Sequence, residues 1–367
     1  REFKLNGYTL TGIKQITSNT PGAKLKINEI PALSAMLQVG FTHVAKTSTL
    51  GGAQNNNVEF PQQLSLFYAG EISPHMGIFS QITMGPGGGF EWDNTDVRMA
   101  FHTNAFGGDT VYGLTLNNVP TVSDLWNSTP AWGYPFAASD TAPGPAYAAL
   151  ITDMGDALGG SFVGLGAYTM INGHLYVEAD AYRKASGGGA NALDNFAPYW
   201  RVAWQQNLGP NYIEVGTFGM YAKVFGAGTN NGPTDKFTDV GIDAQYERPV
   251  TGGSVSAHMT YIYEHAESNG AGVAANPAGT TANGNTFKLD GTYHYHHMGA
   301  ATVAYFQTTG SAALLGGGES RGYTLQASYL PWENTKFTLQ YTGYTSLDGL
   351  STGASDNNSL YLLGWLM

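Results

Sequence analysis

The sequence predicts an all-β fold, a single antiparallel barrel of sixteen strands that crosses a membrane, and three observations carry that prediction. Segments of about ten residues alternate between polar and apolar side chains. The breaks between them are alternately short and long. The chain is poor in charge, yet no apolar run approaches the length of a membrane helix.

The alternation is plainest in 174–182, where Leu175, Val177, Ala179 and Ala181 interleave with His174, Tyr176, Glu178, Asp180 and Tyr182. In 237–247, Asp239, Asp243 and Glu247 share one face while Val240, Ile242 and Ala244 share the other. Successive side chains of a strand point to opposite faces. Each segment therefore has one apolar face and one that carries carboxylates, as a barrel between lipid and water requires. A soluble sandwich would show less regular loop asymmetry, and a β-helix would show a fixed repeat, which is absent.

Composition agrees. Charged residues are 12% of the chain, about half the usual ~25%. Gly accounts for 50 of 367 residues, about twice its usual ~7%. The 22 Tyr and 7 Trp suit aromatic girdles at the two membrane interfaces. Mean hydropathy is slightly negative, which excludes helical membrane spans. There are no cysteines, so disulfides, Cys-zinc sites, iron–sulfur clusters and covalent haem are excluded within these residues. A net charge of −11 argues against nucleic acid as a partner. The chain opens Arg1-Glu2-Phe3, without initiator Met, basic n-region or apolar h-region, and reads as a mature or trimmed chain.

In order, the expected strands lie near 35–45, 62–72, 75–84, 97–106, 109–118, 161–171, 174–184, 198–207, 211–223, 237–247, 254–264, 285–296, 299–308, 321–330, 336–345 and 358–367. The tight connections fall at 71–75, 107–109, 172–173, 208–211, 248–253, 297–298 and 331–335. Asn172-Gly173 is the strongest hairpin signal among them. The long connections, 46–61, 85–96, 119–160, 185–197, 224–236, 265–284, 309–320 and 346–357, are rich in Gly, Asn, Ser, Thr and Asp. Short turns on a periplasmic rim and long loops on an extracellular rim are the outer-membrane arrangement. An even strand count puts both barrel termini on the periplasmic side. Residues 1–33, with Phe3–Leu10 read as extended, form a lead-in tucked into the barrel mouth, and 34–367 form the barrel.

With the apolar set against lipid, the lumen-facing residues include Gln38, Glu71, Arg98, His102, Tyr176, Glu178, Asp180, Arg201, Asp239, Asp243, Glu247, His258, Glu264, Lys288, Asp290, His294, His296 and Gln340. A charge held in lipid at mid-depth costs roughly 2–4 kcal/mol, which drives this assignment. Carboxylates outnumber bases in the set, so the bore is expected to be mildly cation-preferring. Sixteen strands leave room for water unless something fills the tube. The 119–160 loop is the candidate filler. It carries Asp124, Trp126, Trp132, Tyr134 and Phe136, and those rings are better buried, in a constriction or else in a lid over the mouth, than exposed in water.

Catalytic and metal chemistry find little support. Glu178 and Asp180 share a face about 7 Å apart along a strand, and nothing else assembles a cleft around them. His294 and His296, at i and i+2, are read as sharing a strand face near His258, and lumen lining is the simpler role for all three. No nucleophile elbow, P-loop or dinucleotide fingerprint is present. No enzyme and no metal site are expected.

Residues 1–8, Arg1-Glu2-Phe3-Lys4-Leu5-Asn6-Gly7-Tyr8, resemble the segment that follows a c-type haem motif in fused porin–cytochromes of the bacterial outer membrane. Residues 30–36 and 60–70 resemble that family's first barrel strands. The resemblance covers about the first seventy residues, and the remainder is similar to porins in pattern alone. It implies a Cys-x-x-Cys-His haem domain ahead of a barrel of about sixteen strands, periplasmic cytochromes as partners, and an electron path insulated by the barrel. This chain has no such motif, so any c-type haem belongs to an upstream domain and no cofactor is expected within these residues. The expected function is an outer-membrane channel for small hydrophilic solutes or ions, as a monomer or homo-oligomer. The alternatives are the barrel scaffold of a porin–cytochrome electron conduit and a purely structural envelope barrel.

Overall fold

The structure, a computed structural model, describes residues 1–367 apart from 10–14, 18–25, 29–31, 47–52, 129–133, 154–161, 185–191 and 275. A short helix α1 (Glu2–Leu5) and a small hairpin of β1 (Gln15–Thr17) and β2 (Lys26–Asn28) precede the barrel. The barrel strands are β3 (Leu33–Val44), β4 (Asn57–Ser73), β5 (Met76–Met84), β6 (Phe90–Ala105), β7 (Gly108–Asn117), β8 (Phe162–Ile171), β9 (Leu175–Lys184) and β10 (Ala197–Leu208). They continue as β11 (Asn211–Phe225), β12 (Thr234–Val250), β13 (Gly253–Glu267), β14 (Thr281–Tyr295), β15 (Gly299–Gly310), β16 (Ser320–Trp332), β17 (Thr335–Ser346) and β18 (Ser359–Leu366). Each pairs antiparallel with its sequence neighbour, and β18 closes on β3 through eight residue pairs from Ser359↔Val44 to Leu366↔Leu37. Closure leaves no unpaired edge, the condition for a sheet in hydrocarbon.

The period-2 pattern sets the wall. In β8, Phe162, Gly164, Gly166, Tyr168 and Met170 face the inside and are buried, while Leu165 points out and is 61% exposed. Val240, Ile242, Leu289, Val303 and Leu325 are likewise exposed on the outer face. An outer surface of aliphatic side chains is unfavourable in water by roughly 25 cal/mol per Å² and is favourable against acyl chains.

All sixteen expected strands are present, with longer ends in places. β6 begins at Phe90, so the 85–96 connection contracts to 85–89; the ladder Met84↔Phe90, Thr83↔Glu91, Ile82↔Trp92 extends the hairpin beyond the membrane-length segment the alternation marked. β4 begins at Asn57 and includes Pro61, which lies where the register jumps between Gln38↔Gln63 and Gly40↔Glu59. A bulge is where a strand tolerates a residue without N–H. The β8–β9 turn carries Asn172 at φ 54° and Gly173 at φ 70°, the paired left-handed conformations of a tight hairpin. One rim carries these two- and three-residue turns. The other carries the longer connections, of which 118–161 is the largest. The lead-in read as extended over Phe3–Leu10 begins instead as α1.

Candidate functional site: the barrel interior

The described residues of the 118–161 connection run inside the wall. Its first part, with α2 (Pro120–Ser123), is pinned by Arg98, which donates to the Ser123 carbonyl at 2.6 Å. Asp124 then approaches Arg201 at 3.4 Å, and Trp126 Nε1 donates to Tyr212 Oη at 2.6 Å. Thr260 donates to the Ser128 carbonyl at 2.7 Å. Farther along, Tyr134 Oη reaches Gln326 at 3.4 Å, and Gln62 donates to the Ala138 carbonyl at 2.8 Å. Tyr344 donates to the Pro143 carbonyl at 2.7 Å. The segment then returns across the lumen. Tyr147 Oη donates to Glu264 at 3.2 Å, and α3 (Leu150–Asp153) offers the Leu150 N–H to Glu264 and the Ile151 N–H to Asp239, both at 2.7 Å. Gly284 is needed on this path, because a Cβ there would lie 2.1 Å from the Tyr147 hydroxyl.

Helix α1 fills the lumen near the short-turn rim. Lys4 Nζ donates to the carbonyls of Val122 and Asp124, each at 2.7 Å. Tyr8 Oη donates to Asp96 at 2.7 Å, and Tyr168 Oη donates to the Leu5 carbonyl at 2.9 Å. Arg1 lies 4.0 Å above the Tyr212 ring and pairs with Glu247 at 3.2 Å. Burial, reinforced by the Arg98 guanidinium, pushes the Lys4 ammonium down to about 8.

Together these insertions divide the bore. Along β6–β13, Leu5, Leu125 and Trp126 pack on Tyr168, Met170, Tyr176 and Ala203, while Tyr147, Leu150 and Ile151 pack on Phe162, Tyr182, Tyr199 and Phe218. Two arginines are sealed within. Arg98 Nε meets Asp96 at 2.7 Å and its guanidinium lies 4.6 Å from the Tyr168 ring centroid. Arg201 meets Asp243 at 2.7 Å and Glu214 at 3.3 Å. Both arginines are fully buried.

Along β14–β18 the bore stays open. A cavity of about 730 Å³ near the short-turn rim is lined by Tyr134, Phe136, His258, Thr302, Gln326 and Ser328, with Arg1, Glu247, Arg248, His294 and Lys336 at its margin. A second cavity of about 310 Å³ lies beyond Tyr134 and is lined by Lys288, Asp290, Thr308, Thr324, Gln340 and Tyr361. Tyr134 lines both, and its ring stands edge-on to Phe136 at 6.0 Å.

The expected lumen residues thus fall into two groups. Arg98, Tyr176, Glu178, Asp180, Arg201, Asp239, Asp243 and Glu264 point inward but are at most 5% exposed, so they line a packed core and not the water path. Their carboxylates, which suggested cation preference, are covered by the loop. Glu247, Lys288 and Asp290 line the open cavities, and His102 Nε2, near the rim, donates to Asn6 Oδ1 at 2.7 Å. Of the loop residues, Asp124 and Trp126 are buried in the sealed half, Tyr134 and Phe136 stand in the open half, and Trp132 lies outside the described residues. His294 and His296 do not share a strand face: β14 ends at Tyr295, and His296 turns to φ 46° and packs on the Tyr295 ring. His258 faces Asp290 at 2.9 Å, and among the described residues no three His, Asp or Glu side chains converge on a metal-sized site. Asp96 and Glu214 are missed by the sequence reading, although Asp96 is in phase with Arg98, two residues away on β6.

A closed sixteen-stranded wall with an apolar outer face and a loop folded inside defines a barrel of the porin architecture. No protein-family model matches the chain, and no curated protein matches it. Solved structures do. An anion-selective porin from Comamonas acidovorans superposes with a TM-score of 0.55 at 13% identity, covering 92% of this chain and 99% of that one. OprB of Pseudomonas putida gives 0.53 at 11% identity over 91% and 93% of the two chains. The outer membrane channel DcaP of Acinetobacter baumannii gives 0.51 at 11% identity over 91% and 96%. At these identities the likeness is one of fold.

Proposed function

We propose that the chain is a bacterial outer-membrane channel through which small hydrophilic solutes diffuse past Tyr134, with no chemical step. The observation that carries this reading is the pair of cavities that meet at Tyr134. Solved channels of the same fold support it. The short-turn rim with α1 is the periplasmic side, and the long connections face outward. Cation preference, expected from all inward carboxylates, is not what the open half offers. Its charged lining is Arg1, Arg248, Lys288 and Lys336 against Glu247 and Asp290. Within the sealed half, Arg98 pairs with Asp96, and Arg201 pairs with Asp124, Glu214 and Asp243.

Planar-bilayer recording tests this. Purified protein should give discrete open currents, and Tyr134→Ala, which removes the ring that lines both cavities, should raise single-channel conductance by roughly twofold. Glu178→Gln should leave the reversal potential in a salt gradient unchanged. A barrel with no current in the wild type or in Tyr134→Ala contradicts the channel reading.

A second reading has one observation in its favour. The segment that resembles the linker of porin–cytochrome fusions, residues 1–8, is the part of the lead-in docked in the lumen. A haem domain ahead of Arg1 would then be held at the periplasmic mouth, and the barrel would serve as a conduit between periplasmic cytochromes and the exterior. A Soret band in protein purified from its native membrane favours that reading, and its absence there excludes it.

A further inference from the structure

The 310 Å³ cavity beyond Tyr134 is lined by polar groups that the protein leaves unmatched. Lys288 and Asp290 are the charged residues lining it. They stand two positions apart on the inward face of β14, about 7 Å along the strand. No ion pair within 4.0 Å joins them among the described residues, and Asp290 is engaged by His258 Nδ1 at 2.9 Å. Lys288 has no hydrogen-bond or ion-pair partner among the described residues. Two further groups lining this cavity lack partners there as well: Thr286 Oγ1 and Gln340 Oε1 are both buried, and Gln340 is only 4% exposed. A buried polar group without a partner is costly, and native structures keep few of them without a reason.

The remaining lining is apolar or aromatic. Tyr134, Pro135 and Pro143 come from the inserted loop, and Phe306, Tyr344 and Tyr361 come from the wall. Lys288 on β14 is level with Tyr344 on β17, three strands away, and Gln340 lies four residues farther along that strand, about 13 Å. A volume near 300 Å³ is at the small end of ligand pockets.

We propose that this cavity is a solute-binding site, resting on the channel reading above, and that it selects small carboxylates carried on a compact apolar body. The carboxylate takes the Lys288 ammonium in a charge-assisted hydrogen bond, the strong kind. The apolar body lies between the loop prolines and the wall tyrosines. Asp290 works against a second negative charge on the solute, so monocarboxylates are favoured over dicarboxylates.

The probes are 4-hydroxybenzoate and its neutral isostere 4-hydroxybenzamide. Calorimetric titration of the full-length, detergent-solubilised protein should show 4-hydroxybenzoate binding at least about tenfold more tightly than the amide. Lys288→Gln should weaken the carboxylate by a similar factor and leave the amide unchanged, whereas Lys288→Arg should retain binding within about threefold. Equal affinity for the two probes, or no binding of 4-hydroxybenzoate to the wild type at millimolar concentration, overturns the proposal. The probe comparison uses the unaltered chain, so it stands whether or not a variant folds. Binding without bilayer current would sink the channel reading and spare the site. Current without binding would do the reverse.

Discussion

The β6–β13 arc of this barrel and the β14–β18 arc share one strand chemistry and have opposite interiors. In the first arc, loop and helix cover most inward residues, and the space is packed as in a soluble protein, with tyrosines around two paired arginines; Glu247 and His258, near the short-turn rim, instead line the open cavity. In the second, the inward residues are hydroxyls and amides such as Thr302, Thr324, Gln326 and Ser328, and they face two cavities. The difference teaches that the charge of a porin-like lumen is not the charge of its path. Carboxylates buried against Arg98 and Arg201 belong to the partition, whereas the open cavities are lined by Arg1, Arg248, Lys288 and Lys336 against Glu247 and Asp290.

The contrast can be broken most severely at its densest ion cluster. Arg201→Met leaves Asp124, Glu214 and Asp243 without their shared cation in a site closed to water, which should cost about 3–5 kcal/mol. Lys288→Met, in the open arc, removes no pair and should cost less than about 1 kcal/mol. The temperature at which the folded band converts to the unfolded one on a denaturing gel reads both. Equal losses would mean that the two arcs are not different environments.

A smaller effect is expected at Trp126. Trp126→Phe keeps a ring in the sealed core but removes the donor to Tyr212 and Gln205, for a loss of about 1 kcal/mol. The same gel transition measures it, and a loss above that of Arg201→Met would shift the weight of the partition from charge to packing.

The smallest effect is a pH dependence at Lys4. Its folded value, near 8, lies below the ordinary lysine value, so the docked helix disfavours the proton. Between pH 8 and about 10.4 the undocked lysine holds a proton that the docked one has released, so docking strengthens as pH rises through that window. The neutral amine still has N–H donors for the Val122 and Asp124 carbonyls. A fluorophore on Glu2→Cys should show higher anisotropy at pH 9.5 than at pH 7. A fall in anisotropy would reverse the sign.

Much of the fold was legible. Strict alternation places Glu178 and Asp180 on one face of β9 and Leu175 and Val177 on the other, and the Asn172-Gly173 turn sets the register of that hairpin. All sixteen strands follow from the same two signals. The interior was half legible. Which way a side chain points is a local property of the strand, so Lys288, Asp290 and Gln340 could be read as inward. What covers it is not local. The contacts of Ser123 with Arg98 and of Ile151 with Asp239 join residues 25 and 88 positions apart, and no periodicity encodes them. The short α1 escaped for a related reason: four residues are too few for a helical period to show, and its position is held by Asp96, Val122 and Tyr168.

The division of the bore is tested most directly by water accessibility, and a chain without cysteines makes the measurement clean. Ser328→Cys lies in the open arc and Thr115→Cys in the sealed one. A negatively charged thiosulfonate added to open channels should modify Ser328→Cys and reduce its current within minutes, while Thr115→Cys stays unmodified in the folded protein. Comparable modification of both positions would contradict the account.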